Sequence, residues 1–84
     1  MFLNKMKVRI QLFGVLGLKL PELASPEGVE IELSDSATVE DLLKQLKIPE
    51  TWSPAVTIDS RLLKNEDPLR DGAEIRIFQA VHGG

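Results

Sequence analysis

An α+β domain, with one main helix across one face of a mixed four- to five-stranded sheet, is the fold class this sequence predicts. Three observations predict it. Apolar and polar residues alternate in four separate runs, around 7–13, 29–33, 55–58 and 74–78, which is the period of a half-buried strand. A single stretch, 38–47, carries helical spacing instead. Two of the strand runs precede that stretch and the others follow it, the ordering of an α+β layer rather than of βαβ repeats.

The elements follow in chain order. Lys7-Val8-Arg9-Ile10-Gln11-Leu12-Phe13 places Val8, Ile10 and Leu12 on one buried face. The segment after it, through Gly14, Gly17, Pro21 and Pro26, is too rich in glycine and proline to predict a helix, and is expected to be a long irregular connection. Val29-Glu30-Ile31-Glu32-Leu33 alternates again with its carboxylates outward, antiparallel to the first strand. Thr38 is positioned as a helix N-cap, with Asp41 three residues on in the role of a capping-box acid. Val39, Leu42, Leu43 and Leu46 fall on one helical face, and Pro49 stops the helix near Leu46 or Lys47. Three turns at most are unstable alone, so that face must rest on the sheet.

Beyond Pro54, Val56 and Ile58 point inward from a short strand, and Asp59-Ser60 turns into Arg61-Leu62-Leu63. Asn65 to Gly72 is turn-rich, with Pro68-Leu69 expected to begin a short tight helix. Glu74-Ile75-Arg76-Ile77-Phe78 is the last strand and buries Ile75 and Ile77. Trp52, between Pro49 and Pro54, is expected to plug the core. This order of elements suits the ubiquitin-like β-grasp, with the first and last long strands paired at the centre. The domain is expected to span 1–84, with 1–5 a flexible extension, Met6 an alternative start, and 79–84 a projecting tail that ends in Gly83-Gly84.

Bulk properties narrow the function classes. A chain of 84 residues has room for one domain; at that size its stability is on the order of 4–13 kcal/mol. There is no cysteine, hence no disulfide, thiol nucleophile or thiolate metal site, and a cytoplasmic origin is expected. A net charge of −3 argues against nucleic acid as the main ligand, and no run approaches a membrane span. The single histidine, His82, has no serine near it in sequence, and no phosphate loop or metal-ligand cluster is present. No catalytic or metal residue is therefore assigned, and the chain is not expected to be an enzyme.

The tail carries the chemistry. Glycine enters channels too narrow for other residues and tolerates positive φ inside them, and Gly84 offers an α-carboxylate for another enzyme to activate. Alone, two terminal glycines read as a frayed end; the domain in front of them changes that reading. Val81 is expected to anchor the root of the tail or to close the core. His82 is read as a tolerated polar residue, and Phe13 and Phe78 as part of a partner-facing apolar surface of the sheet.

Four stretches carry a family resemblance: Val8-Arg9-Ile10-Gln11-Leu12-Phe13-Gly14, Ala37-Thr38-Val39-Glu40-Asp41-Leu42-Leu43, Pro68-Leu69-Arg70-Asp71-Gly72-Ala73-Glu74-Ile75 and Val81-His82-Gly83-Gly84. With these the chain resembles the ubiquitin-like sulfur carriers of the MoaD/ThiS type, the small subunit of molybdopterin synthase and the sulfur carrier of thiazole synthesis. The resemblance implies a sulfur carrier in cofactor biosynthesis, with no cofactor of its own. An E1-like adenylating enzyme would use ATP to join AMP to Gly84, and sulfur would displace the AMP to leave a thiocarboxylate. Val81, His82, Gly83 and Gly84 would then enter the active site of a sulfur-accepting synthase, the molybdopterin-synthase large subunit or thiazole synthase. Gln79-Ala80 stands where the molybdopterin branch usually has a Pro-Pro pair, and the first loop is longer than in thiazole carriers, so both pathways stay open. The alternative is a ubiquitin-like interaction or modifier domain that carries no sulfur.

Overall fold

In the computed structural model, which describes residues 4–79, alternating side chains build a sheet with one dry face. Strand β1, Lys5–Leu12, buries Met6, Val8 and Ile10 and turns Lys5, Lys7 and Arg9 outward. It pairs antiparallel with β2, Val29–Ser34, and parallel with β5, Glu74–Gln79. Strand β3, Pro54–Ile58, lies antiparallel to β5 and to the short β4, Arg61–Leu63. The order β2-β1-β5-β3-β4 makes a five-stranded mixed sheet with the first and last long strands at its centre, as the element order predicts.

Two boundaries differ from the sequence reading. Lys5, assigned there to an extension, belongs to β1, because it pairs with Ser34 across the ladder and Asn4 accepts a hydrogen bond from the amide of Asp35. Gln79, assigned to the tail, is the last residue of β5 and pairs with Pro54.

The main helix, α2, spans Val39–Gln45 and rests Val39, Leu42, Leu43 and the following Leu46 on the dry face. They join Val8, Ile10, Val56, Ile75 and Ile77 in one core cluster. Both ends of α2 are closed by local chemistry. At the start, the Thr38 hydroxyl accepts from the amide of Asp41 (3.4 Å), while the amide of Thr38 donates to the Asp41 carboxylate (2.9 Å), a reciprocal capping box. At the end, Lys47 turns left-handed (φ 61°) and the amide of Ile48 reaches back to the Leu43 carbonyl (2.9 Å), a Schellman closure without glycine. Buried Ile48 supplies the apolar contact of that closure.

The hydrogen bond from the Thr38 amide, and then the one from its hydroxyl, hold the Asp41 carboxyl below its ordinary value of 3.8. A depressed folded-state pKa means that this contribution is fully present above 3.8 and is lost as pH falls through the lowered value. Urea midpoints of the wild type and of Asp41→Asn are therefore expected to differ at neutral pH and to converge in acid. Thr38→Ala is expected to lower stability by about 0.5–2 kcal/mol in the same neutral-pH measurement.

The connections bring two further differences. The segment after β1 is not irregular throughout: α1, Val15–Lys19, and a 3₁₀ turn at Pro21–Leu23 stand where glycine and proline predicted loop. Fully buried Leu16 anchors α1, and tertiary packing outweighs the poor local propensity of so short a segment. Gly14 makes the sharp exit from β1 into α1 with φ 63° and ψ −136°, a conformation that glycine adopts without strain. Pro68-Leu69 begins no helix. It runs extended beside the start of α2, with Pro68 bridging Thr38 and the amide of Leu69 donating to the Ala37 carbonyl (3.1 Å). The same loop accepts from the otherwise orphaned first amides of α2, Val39 to Asp67 and Glu40 to Asn65, each at 3.0 Å. Those bonds explain why the segment is strapped down rather than coiled.

Asp59 and Ser60 form the expected tight turn, both with positive φ (52° and 65°), the geometry that matches the twist of a two-residue hairpin. Trp52 is not a core plug. It lies half-buried in a 3₁₀ turn, packs against the rim of the core and carries Lys19 Nζ 4.5 Å above its ring.

Candidate functional site

Strand β5 runs through the centre of the sheet and delivers the chain, at Gln79, to one pole of the molecule. The residues around that exit are unusually apolar for a surface. The parallel register of β1 and β5 sets Phe13 beside Phe78, and the Phe13 amide donates to the Ile77 carbonyl (3.0 Å). Their rings stack at a centroid distance of 5.0 Å and an interplanar angle of 18°. Both remain about two-fifths open to solvent, at 37% and 38%. The stack lies on the face of the sheet opposite α2.

The apolar surface continues over the pole onto α1, which lies against β5. Leu16 points in, and the outer side of this short helix presents Val15 and Leu18, the latter 83% exposed. Four of the five large apolar side chains that stand exposed among the described residues, Phe13, Val15, Leu18 and Phe78, thus gather where β5 leads out. Sequence reasoning missed Val15 and Leu18, because they lie in the segment read as irregular. Their signal was the spacing Val15-Leu16-Leu18, in which one residue is buried and two are left outside. At the C-terminal end of β5 the side-chain oxygen of Gln79 is buried with no hydrogen-bond partner among the described residues.

Away from this pole the open face becomes ionic. Lys5 pairs with Glu32 (3.2 Å) and Lys7 with Glu30 (3.9 Å), exposed cross-strand bridges that add little to stability. Arg9 donates to the Glu27 carbonyl (3.1 Å) and Gln11 to the Pro26 carbonyl (3.0 Å), holding the loop before β2 against the sheet. Gly28 belongs there: with φ 85°, a Cβ at this position would stand 2.8 Å from Arg9 Cγ and 3.0 Å from the Ile10 carbonyl oxygen. The polar side chains of the open face thus run along β1 from Lys5 to Gln11, and the apolar stack begins two residues later at Phe13.

Val81, His82, Gly83 and Gly84, the residues expected to form the reactive tail, lie outside the described residues. Among the described residues no cluster of three or more His, Cys, Asp or Glu side chains is placed to hold a metal ion. No helix there is long and apolar enough to cross a membrane. At the pole far from Gln79, a shallow depression of about 270 Å³ is lined by Ile58, Asp59, Arg61, Leu63, Pro68, Leu69 and Arg70. Arg70 closes part of its rim through an ion pair with Asp59 (2.9 Å).

A five-stranded mixed sheet with central parallel β1 and β5 and a helix across its dry face defines a ubiquitin-like β-grasp protein. The ThiS family model matches residues 11–84, and the chain belongs to that family of ubiquitin-like sulfur carriers. Solved structures agree on the fold. A Pyrococcus furiosus protein assigned as molybdopterin converting factor, subunit 1, superposes with a TM-score of 0.68 at 23% identity, over 90% of this chain and 99% of that one. Small archaeal modifier protein 1 of Haloferax volcanii gives 0.65 at 21% identity, over 90% and 99%. A ubiquitin of Caldiarchaeum subterraneum gives 0.61 at 20%, over 96% and 100%. At these identities the likeness is one of fold. No curated protein matches the sequence.

Proposed function

We propose that the chain is a sulfur carrier for cofactor biosynthesis, a substrate of its partners rather than an enzyme. Membership of the ThiS family, on a match that runs through Gly83 and Gly84, is the observation that carries this reading. The Gly84 carboxylate is resonance-stabilised and resists attack by sulfur. An E1-like adenylating enzyme joins it to AMP, forming a mixed anhydride and releasing pyrophosphate. A hydrosulfide equivalent from a sulfur donor then attacks the acyl carbon; the carbon–sulfur bond forms, the bond to AMP breaks, and a thiocarboxylate remains. Val81, His82, Gly83 and Gly84 enter the active site of a sulfur-accepting synthase, of the molybdopterin or the thiazole pathway, and donate that sulfur. ATP belongs to the activating enzyme.

The apolar pole supports the same reading. A partner that takes the tail into its channel must seat the surface from which the tail leaves, and that surface presents Phe13 and Phe78 with Val15 and Leu18 beside them. Docking a rigid β5 against the channel mouth replaces a bimolecular encounter of the carboxylate with a nearly unimolecular one. The fold shared with small archaeal modifier protein 1 and with a ubiquitin favours one second reading, a modifier joined through Gly84 to an amine of a target.

The test is pyrophosphate exchange. With an activating enzyme from the same cells, isotopic exchange between pyrophosphate and ATP is expected to depend on this chain and to saturate with its concentration. Exchange that ignores the chain sinks both readings. Exchange followed by amide-linked conjugates, with no thiocarboxylate, selects the modifier.

A further inference from the structure

The cations of the open sheet face are not equally engaged. Lys5 and Lys7 are held by Glu32 and Glu30, and Arg9 by the Glu27 carbonyl. Arg76 has neither a salt bridge nor a side-chain hydrogen bond to the described residues; the hydrogen bonds of this face are made by Lys7, Arg9 and Gln11. It stands exposed on the central strand, with neutral neighbours on both sides: Gln11 across in β1 and Thr57 across in β3. Two residues further along β5, about 7 Å away on the same face, is Phe78, one half of the aromatic stack. Glu74 and Asp59 line one shallow hollow with Arg76, and Glu27, Arg9 and Glu74 line another beside it. Asp59 is taken by Arg70, and among the described residues Arg76 forms no salt bridge with Glu74 or Glu27.

This placement has an energetic consequence for any partner that covers the stack. A protein surface seated on Phe13 and Phe78 also covers a guanidinium only one strand step away. Withdrawing that charge from water without an acceptor opposes binding, whereas a carboxylate set opposite makes a charge-assisted, two-toothed contact. Arginine is among the residue types enriched at interface hot spots. The net charge of −3 does not offset this, because charges farther than about 8 Å are largely screened at physiological salt.

We propose that Arg76 is the specificity contact of the docking face, pairing with a carboxylate that the activating partner presents about one strand step from its apolar seat for Phe13 and Phe78. The proposal rests on the carrier reading above. Its chemistry selects partners whose channel mouth combines an apolar seat with an acidic rim, and disfavours those with a basic one.

Steady-state pyrophosphate exchange against carrier concentration tests it, using the full chain as wild type, Arg76→Lys, Arg76→Gln, Arg76→Glu and Phe78→Ala. Circular dichroism and urea midpoints confirm the fold of each. Arg76→Glu is expected to raise the KM for the carrier at least ~30-fold with kcat within ~2-fold, since it opposes like charges across the contact. Arg76→Gln is expected to raise it several-fold and to flatten the salt dependence of kcat/KM, and Arg76→Lys to restore most of the affinity. A KM for Arg76→Glu within ~2-fold of wild type, when Phe78→Ala raises it clearly, overturns the proposal and leaves the docking face standing. A KM that neither variant moves overturns the docking face and the proposal together. No exchange with the wild-type chain overturns the carrier reading itself.

Discussion

Deleting Gly84 is expected to reduce adenylation of the chain by at least about 100-fold while its fold and urea midpoint stay unchanged. The deletion leaves a glycine carboxylate in place, now on Gly83, so the chemistry of the group is the same. What changes is where it sits, by as much as one residue of chain, about 3.4 Å. A displacement of only about 1 Å of a reacting group costs on the order of 100-fold in rate. The fold is spared because the buried apolar core of the described residues runs from Met6 to Ile77. The measurement is carrier-dependent pyrophosphate exchange with the truncated chain at concentrations above the wild-type KM. A truncated chain that is adenylated at the wild-type rate would contradict the assignment of Gly84 as the activated residue.

Replacing Ile77 by alanine is expected to cost about 2–5 kcal/mol, the range for truncating a fully buried aliphatic side chain. Ile77 has no exposed surface; it lies on the central strand, paired with Leu12 on one side and Val56 on the other. The cost compares with a total of about 4–13 kcal/mol for a domain of this size, so a large part of the chain unfolds at physiological temperature if the parent stability lies at the low end of that range. Urea unfolding at 25 °C measures the loss. Ile77 also immobilises the strand that carries Phe78 on its opposite face. Carrier activity is therefore expected to fall with the folded fraction and to return when temperature is lowered. A loss below about 1 kcal/mol would mean that the core beneath β5 collapses around the smaller side chain.

Much of this architecture was legible in the sequence because the signals were local. Alternation set Val8, Ile10, Ile75 and Ile77 on the buried face, and Thr38 with Asp41 marked the start of α2. The readings that failed concern segments whose conformation is set by distant partners. Helix α1 exists because Leu16 finds a place in the core, which five residues containing a glycine do not announce. Pro68-Leu69 stays extended because Thr38, Val39 and Glu40 need partners for their backbone groups. Lys5 joins β1 because Ser34 is there to pair with it.

The candidate site divides in the same way. Phe13 and Phe78 were legible as outward-facing residues at the ends of two strands. Their contact depends on the parallel register of β1 and β5, which no local pattern encodes. Val15 and Leu18 were missed along with their helix. No local pattern in the sequence singled out Arg76; the structure places it between Gln11 and Thr57, one strand step behind the aromatic stack.

The most direct test of the carrier reading is the intact mass of the purified chain after incubation with ATP, its activating enzyme and a sulfur donor. The account predicts a gain equal to the replacement of one oxygen by one sulfur, located at Gly84 by fragmentation and dependent on ATP. An unchanged mass, under conditions in which the same enzyme demonstrably adenylates Gly84 and the donor loads another carrier, would contradict it.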